Sequence, residues 1–160
     1  PHVIQYRRGL LPEPEREFYI SGDAFAKDWI KKVRNDVPDA PVLVTAGGLL
    51  HYFEENKVIS LLRMIGQSGN MEVVFDTVNK KGMAMMQKKY MKQVGHADAQ
   101  MFFYVDAAKE LAAKIRGNVK VIAEEPYYRY IPKNGLKLST KVSMAVSDQF
   151  KMVKMIHLKL

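Results

Sequence analysis

The sequence has 160 residues, of which 48% are apolar, and a formal net charge of +8. This is enough for one domain with an apolar core, and the absence of cysteine excludes disulfides and thiolate metal sites and is compatible with a reducing cytoplasm. The basic residues are scattered and no run of about 18 apolar residues occurs, so we expect neither nucleic acid nor a membrane as partner.

The first forty residues predict a helix, a strand and a second helix. A helix begins within residues 3–8 and is cut short by Gly9 and the prolines at 12 and 14, and the segment 17–21 (EFYIS) is typical of a strand. Residues 22–24 then form a turn. Residues 28–34 predict a short amphipathic helix, so this part of the chain is interpreted as one βα unit.

Residues 41–53 are the stretch around which the chain is organised. The β-branched run 41–44 is typical of a strand covered on both faces in a parallel sheet. Gly47 and Gly48 allow a sharp turn and let a ligand approach the backbone closely. Because ligands in open α/β sheets bind beyond the carboxyl ends of strands, we predict a binding turn here.

A helix and a strand follow this turn. Glu54 and Glu55 favour a helix start, and Gly66 is predicted to end that helix. Residues 71–78 predict the next strand, with Asp76 near its carboxyl end. The order strand, helix, strand predicts a parallel pair with a right-handed crossover, and hence a doubly wound α/β sheet.

The remaining elements are predicted from apolar spacing. Residues 80–94 predict a methionine-rich amphipathic helix, which is either adaptable core or a lid or pocket wall over an apolar substrate. The segment 124–132 is too aromatic and too rich in proline to assign. Residues 155–160 alternate apolar and polar side chains, which predicts a half-buried antiparallel strand at an edge or inserted in the sheet. Other predictions are a helix over 106–116, a strand over 119–123, and a helix over 140–153 with Val142, Ala145, Val146 and Phe150 inward.

The candidate site residues are polar or small side chains at strand ends. The four histidines lie far apart in sequence, so no metal site is predicted. His51 is the most suggestive of them because it precedes Tyr52 directly after the glycine turn. Asp23 is either a turn residue or an acceptor for an adenine amine, and Asp76 either caps the following turn or belongs to the site. On one parallel sheet these strand ends would lie at one edge.

Taken in order, several motifs resemble those of one family. The matching residues are Pro1-His2-Val3-Ile4, Arg7-Arg8, Leu10-Leu11-Pro12, Gly22-Asp23-Ala24, Val42 to Phe53, Val58, Leu61-Leu62 and Glu72 to Asp76. This pattern resembles the leucine carboxyl methyltransferase-like group, and within it the polyketide O-methyltransferases of the tetracenomycin type.

The resemblance implies a Rossmann-like methyltransferase sheet, mostly parallel, whose final strand is antiparallel, with S-adenosylmethionine as cofactor. It also implies methyl transfer to the hydroxyl or carboxylate of a small polyketide-like or aromatic acceptor in the cytoplasm. The cofactor-binding residues implied are Gly22, Asp23, Ala24, Ala46, Gly47, Gly48 and Leu49, and the substrate-binding residues are His51, Tyr52 and Asp76.

Two parts of the family pattern are not found in these 160 residues: the glycine-rich turn that cradles the cofactor and the acidic residue that binds its ribose. We therefore interpret residues 1–160 as a single partial domain, the C-terminal part of a methyltransferase that lacks the first strand, and expect it to be inactive alone. Two alternatives are a protein carboxyl methyltransferase and a non-catalytic module that associates through the sheet edge left by the missing strand.

Overall fold

A computed structural model of the protein describes residues 2–90 and 100–160, without the side chains of Lys89 and Tyr90. The chain divides into two compact units, residues 1–40 and 41–160. Each unit has its own internal contacts and is described by itself. That residues 1–160 form a single partial domain remains a prediction.

The first unit contains two helices, α1 (His2–Leu10) and α2 (Asp28–Asp36). Both predicted helices are confirmed, although α1 continues through Gly9. The turn before α2 is tied to it by the indole Nε1 of Trp29, which donates a hydrogen bond to the carbonyl oxygen of Ala24 at 2.9 Å.

The strand predicted over residues 17–21 is wrong, because this segment has no regular secondary structure. The backbone N of Tyr19 donates to a carboxylate oxygen of Glu13 at 2.9 Å, and the Tyr19 hydroxyl accepts from Nε of Arg7. The backbone N of Tyr19 therefore has a side-chain acceptor in place of a neighbouring strand.

The second unit is built on a four-stranded sheet in the order β1-β2-β4-β3. Strands β1 and β2 are parallel, and β4 lies between β2 and β3 and is antiparallel to both. The predicted α/β class and the inserted antiparallel final strand are thus confirmed. The strand bounds are β1 (Val42–Ala46), β2 (Met71–Val78), β3 (Lys120–Pro126) and β4 (Val153–Lys159).

Strand β1 lies at the edge of this sheet and is not covered on both faces, so that prediction is wrong. None of its residues is buried, and Leu43 is 57% exposed. An apolar run of four residues is compatible with either position, because local sequence does not report whether another strand or helix lies beside it.

The connections between strands are mostly helical. The helices are α3 (Glu55–Gly66), α4 (Lys80–Met85) followed by a π-helical turn (Met86–Tyr90), α5 (Ala108–Ile115) and α6 (Leu138–Gln149). Helix α3 ends at Gly66 as predicted and buries the apolar face that its spacing indicated. The predicted helix over 80–94 is confirmed in part, and its remainder, including Val94, lies outside the described residues.

Helix α6 contradicts the sequence prediction in both its bounds and its orientation. It ends at Gln149, and Val153 already belongs to β4. Val142, Ala145, Val146 and Phe150, which we predicted to point inward, are exposed, whereas Met144 and Ser147 are the buried residues of the helix. An apolar stripe shows that a helix is amphipathic, but the packing of its neighbours decides which stripe is covered.

Candidate functional site

The glycine turn after β1 and the end of β2 are joined by a hydrogen bond. The backbone N of Gly48 donates to Oδ1 of Asp76 at 2.6 Å. Gly48 has a φ of +64°, in the left-handed region that favours glycine, and no described atom lies within 4 Å of where a Cβ on Gly47 or Gly48 would stand. The structure therefore brings two of the predicted site residues together around an accessible stretch of backbone.

His51 and Tyr52 follow in a 3₁₀ turn, Leu50–Tyr52. His51 is buried and its carbonyl oxygen accepts from the backbone N of Phe102 at 2.8 Å, while the Tyr52 side chain remains partly exposed. Burial lowers the pKa of His51, and the negative charge of Asp76 offsets this in part. The imidazole is accordingly neutral at pH 7 and lies within electrostatic reach of Asp76.

Gly22, Asp23 and Ala24 belong to the first unit, where Asp23 organises the turn before α2. Its Oδ1 accepts from the backbone N of Phe25 at 2.9 Å, and its carbonyl oxygen accepts from the backbone N of Ala26 at 3.0 Å. The turn-residue interpretation of Asp23 is therefore confirmed. The adenine contact remains a prediction.

A buried ion pair at the same end of the sheet was not predicted. Lys154 of β4 is 1% exposed, and its Nζ donates to Oε1 of Glu124 and to the carbonyl oxygen of Asp106, both at 2.7 Å. Oε2 of Glu124 accepts from the backbone N of Ala108, which begins α5. Alternation along β4 was a usable signal, since it places Lys154 on the same face as the buried Ile156 and Leu158.

The pair also changes the acidity of its carboxyl group. Desolvation acts to raise the pKa of Glu124, but the hydrogen bonds from Lys154 and from the Ala108 backbone outweigh it, so the pKa of Glu124 is lowered. Glu124 therefore remains ionised at neutral pH. Asp106, whose Oδ1 accepts from the backbone N of Lys80, extends this network from the loop before α5 to the start of α4.

A cavity of about 770 Å³ opens beside Asp76 and was also not predicted as such. Its walls come from the π-helical region after α4, from α6, and from the aromatic segment that the sequence left unassigned. Its apolar lining includes Met85, Met86, Tyr127, Tyr128, Ile131 and Met144. Met85 and Met86 of the methionine-rich helix line this cavity, while its role as a lid or wall over an apolar substrate stays a prediction.

Within the described residues, no group of three or more histidine, aspartate or glutamate side chains could hold a metal ion. No helix in the same ranges is long and apolar enough to cross a membrane.

The parallel pair, the glycine turn beyond it and the inserted antiparallel strand form an α/β fold that is also found in solved structures. Two solved structures share it, each with a TM-score of 0.64 over 99% of this chain: a DUF574 family protein from Streptomyces avermitilis at 12% identity, and a protein described as a candidate methyltransferase from Thermobifida fusca at 13%. The chain covers 62% and 59% of them, respectively. At this identity the likeness shows the fold alone.

Among curated proteins, the chain is similar to the S-adenosyl-L-methionine-dependent methyltransferase dpfgK of Gibberella zeae, with 32% identity over 128 residues. The alignment covers 72% of this chain and 41% of that protein, so the chain spans about two fifths of the length of this relative. No protein-family model matches the sequence.

Proposed function

We propose that the chain is part of a cytoplasmic S-adenosylmethionine-dependent O-methyltransferase, related to the tetracenomycin-type enzymes, that acts on a hydroxyl or carboxylate of a small polyketide-like or aromatic molecule. The observation that carries this proposal is the glycine turn held beyond the parallel strands β1 and β2 by the bond from Gly48 to Asp76. The similarity to a methyltransferase at 32% identity supplies the class of reaction.

The proposed roles of the site residues differ with their chemistry. Ala46, Gly47, Gly48 and Leu49 contact the methionine part of the cofactor through backbone that carries little side chain. His51, Tyr52 and Asp76 border the acceptor. Gly22, Asp23 and Ala24 are proposed to contact the adenine, in addition to the local turn bonds of Asp23.

The electrostatics near the turn suit a cationic cofactor. S-adenosylmethionine supplies an electrophilic methyl group on a positively charged sulfonium. The carboxylate of Asp76 attracts such a charge, and the neutral imidazole of His51 adds no opposing cation. The residues bordering the acceptor would align its oxygen with the sulfonium methyl and exclude water, and these effects would supply most of the catalysis when that oxygen has already lost its proton.

Calorimetric titration of the full-length protein with S-adenosylmethionine tests this proposal, with two glycine variants compared. Gly48→Ala and Gly69→Ala place a Cβ at nearly the same backbone angle, φ +64° and φ +69°, with no described atom in the way. Each should therefore lower the free energy of unfolding by about 1 kcal/mol. We expect only Gly48→Ala to weaken cofactor binding, by about tenfold or more, because only this Cβ enters the proposed site.

Two results would contradict the proposal. If an intact, folded sample does not bind S-adenosylmethionine, the methyltransferase assignment fails. If the two variants bind the cofactor equally, the glycine turn is not the cofactor site. Methylation of carboxyl termini of added proteins, with small aromatic molecules left unmodified, would favour a protein carboxyl methyltransferase instead.

The exposed position of β1 supports one further candidate, a non-catalytic association module. Its residues are unburied, and no strand pairs with its outer edge in the ranges 2–90 and 100–160. Such an edge can accept a strand from a second copy or a partner. Sedimentation velocity tests this candidate, and a stable monomer at high protein concentration would count against self-association.

A further inference from the structure

The wall of the cavity beside Asp76 contains a buried polar group whose hydrogen bonding is not satisfied within the described residues. Ser147 of α6 is only 7% exposed, lines the cavity, and its buried Oγ has no hydrogen-bond partner among the described residues. A buried hydroxyl without a partner loses the hydrogen bonds that it makes in water. Burial of such a group is explained if a ligand completes its hydrogen bonding.

A second serine of the same helix provides the contrast. Ser143 also lines the cavity, but its Oγ donates to the carbonyl oxygen of Ser139 at 2.9 Å. The hydroxyl of Ser143 is thus satisfied within α6, whereas that of Ser147, four residues later, is not. Of the two serine hydroxyls in the described cavity wall, that of Ser147 is therefore the one left without a partner.

The charge of the lining restricts the kind of ligand. Asp76 contributes a carboxylate, and none of the lining residues that the structure describes is a lysine, arginine or histidine. A ligand carboxylate would be repelled by Asp76 without a compensating cation nearby. A neutral hydroxyl meets no such penalty, and it can donate to a carboxylate or bond with a serine hydroxyl.

The apolar part of the lining restricts the kind of ligand further. Tyrosine rings and methionine side chains offer flat, polarizable surfaces that contact aromatic ligands well. The volume of about 770 Å³ lies within the range of small-molecule pockets, roughly 300–1,000 Å³. The cavity therefore suits a ligand with an aromatic body larger than a single ring.

We propose that this cavity binds the methyl acceptor, that the acceptor is an uncharged hydroxylated aromatic molecule and not a carboxylic acid, and that the hydroxyl of Ser147 anchors its polar group. The identification of the ligand as the acceptor rests on the proposed function. Binding of the ligand requires no methyl transfer, so it is measured without cofactor. Failure of the cavity proposal and failure of the proposed methyltransferase function therefore give different results.

Titration calorimetry with naphthol, naphthalene and naphthoate on the full-length protein tests the proposal. Naphthol should bind to the wild type. Ser147→Ala should weaken the affinity for naphthol about fivefold, which is the effect of one neutral hydrogen bond, and should leave the affinity for naphthalene unchanged. Ser139→Ala, at an exposed position of the same helix outside the cavity lining, should change neither affinity. Because Ser147→Ala removes a hydroxyl without a partner, the variant should fold at least as stably as the wild type, which thermal unfolding checks.

The carboxylate of Asp76 is tested by comparing a neutral ligand with an anionic one. Naphthoate should bind more weakly than naphthol, and Asp76→Asn, which keeps an oxygen to accept from Gly48, should narrow that difference. Three results would each overturn the proposal. They are no binding of naphthol, an equal loss of affinity for naphthol and naphthalene in Ser147→Ala, and tighter binding of naphthoate than of naphthol by the wild type. Naphthol binding that depends on Ser147 in a protein that does not bind S-adenosylmethionine would support the cavity and reject the methyltransferase.

Discussion

The two ends of the sheet use similar charged groups in different environments. At the site end, where β2 finishes and β4 begins, Lys154 is buried and pairs with Glu124. At the far end, Nε2 of His157 lies 2.7 Å from Oε2 of Glu72, with both side chains partly exposed, and Lys159 lies 3.9 Å from the same carboxylate. Burial makes the loss of one partner costly at the site end, because the other charge then lies unpaired out of water.

The largest expected effect is a difference in stability between variants of two lysines of β4. Lys154→Met removes the cation that Glu124 and the carbonyl of Asp106 share, and should lower the free energy of unfolding by about 4 kcal/mol. Lys159→Met at the far end removes an exposed charge and should cost less than about 1 kcal/mol. Urea unfolding measures both, and similar costs for the two variants would contradict the comparison.

A smaller effect is expected from two helical glycines. A Cβ on Gly82 of α4 would overlap the backbone carbonyl oxygen of Met152 at the site end, so Gly82→Ala should destabilise by about 3 kcal/mol. A Cβ on Gly66 would lie 3.1 Å from the Cβ of Leu160 at the far end.

Gly66→Ala serves as the matched control for this prediction. Leu160 follows β4 and is only half-buried, so its side chain can adjust by a few tenths of an ångström, and alanine favours the helix by about 1 kcal/mol. The change should therefore be nearly neutral. Thermal unfolding compares the two variants. A Gly82→Ala protein as stable as Gly66→Ala would show that α4 can move away from the turn before β4.

The smallest effect is a pH dependence at the site end. Because burial lowers the pKa of His51 in the folded state, the unfolded chain binds its proton first as the pH falls below about 6.5. Stability should therefore decline between pH 7 and pH 5, and His51→Gln should make that decline shallower. Both proteins should show flat stability above pH 7, measured by urea unfolding. An unchanged slope in His51→Gln would mean that its imidazole takes up a proton equally well in the folded state.

The sequence by itself determined the elements whose signals are local. Helix α3 has an apolar face at helical spacing and a glycine at its end, and β2 was predicted with its observed bounds. The alternation in residues 155–160 indicated an antiparallel strand at an edge or inserted in the sheet, and the structure places β4 between β2 and β3. Propensity and periodicity act within a few residues, so a single sequence can report them.

Tertiary structure alone decided which surfaces are covered and which distant groups meet. The run in β1 lies at an edge, the apolar stripe of α6 faces outward, and residues 17–21 form no strand, with the backbone N of Tyr19 bonded to Glu13 instead. The bond from Gly48 to Asp76, the pair of Lys154 with Glu124 and the cavity around Ser147 each join residues distant in sequence or surfaces from different elements. Such contacts depend on packing across the fold, which local periodicity does not encode.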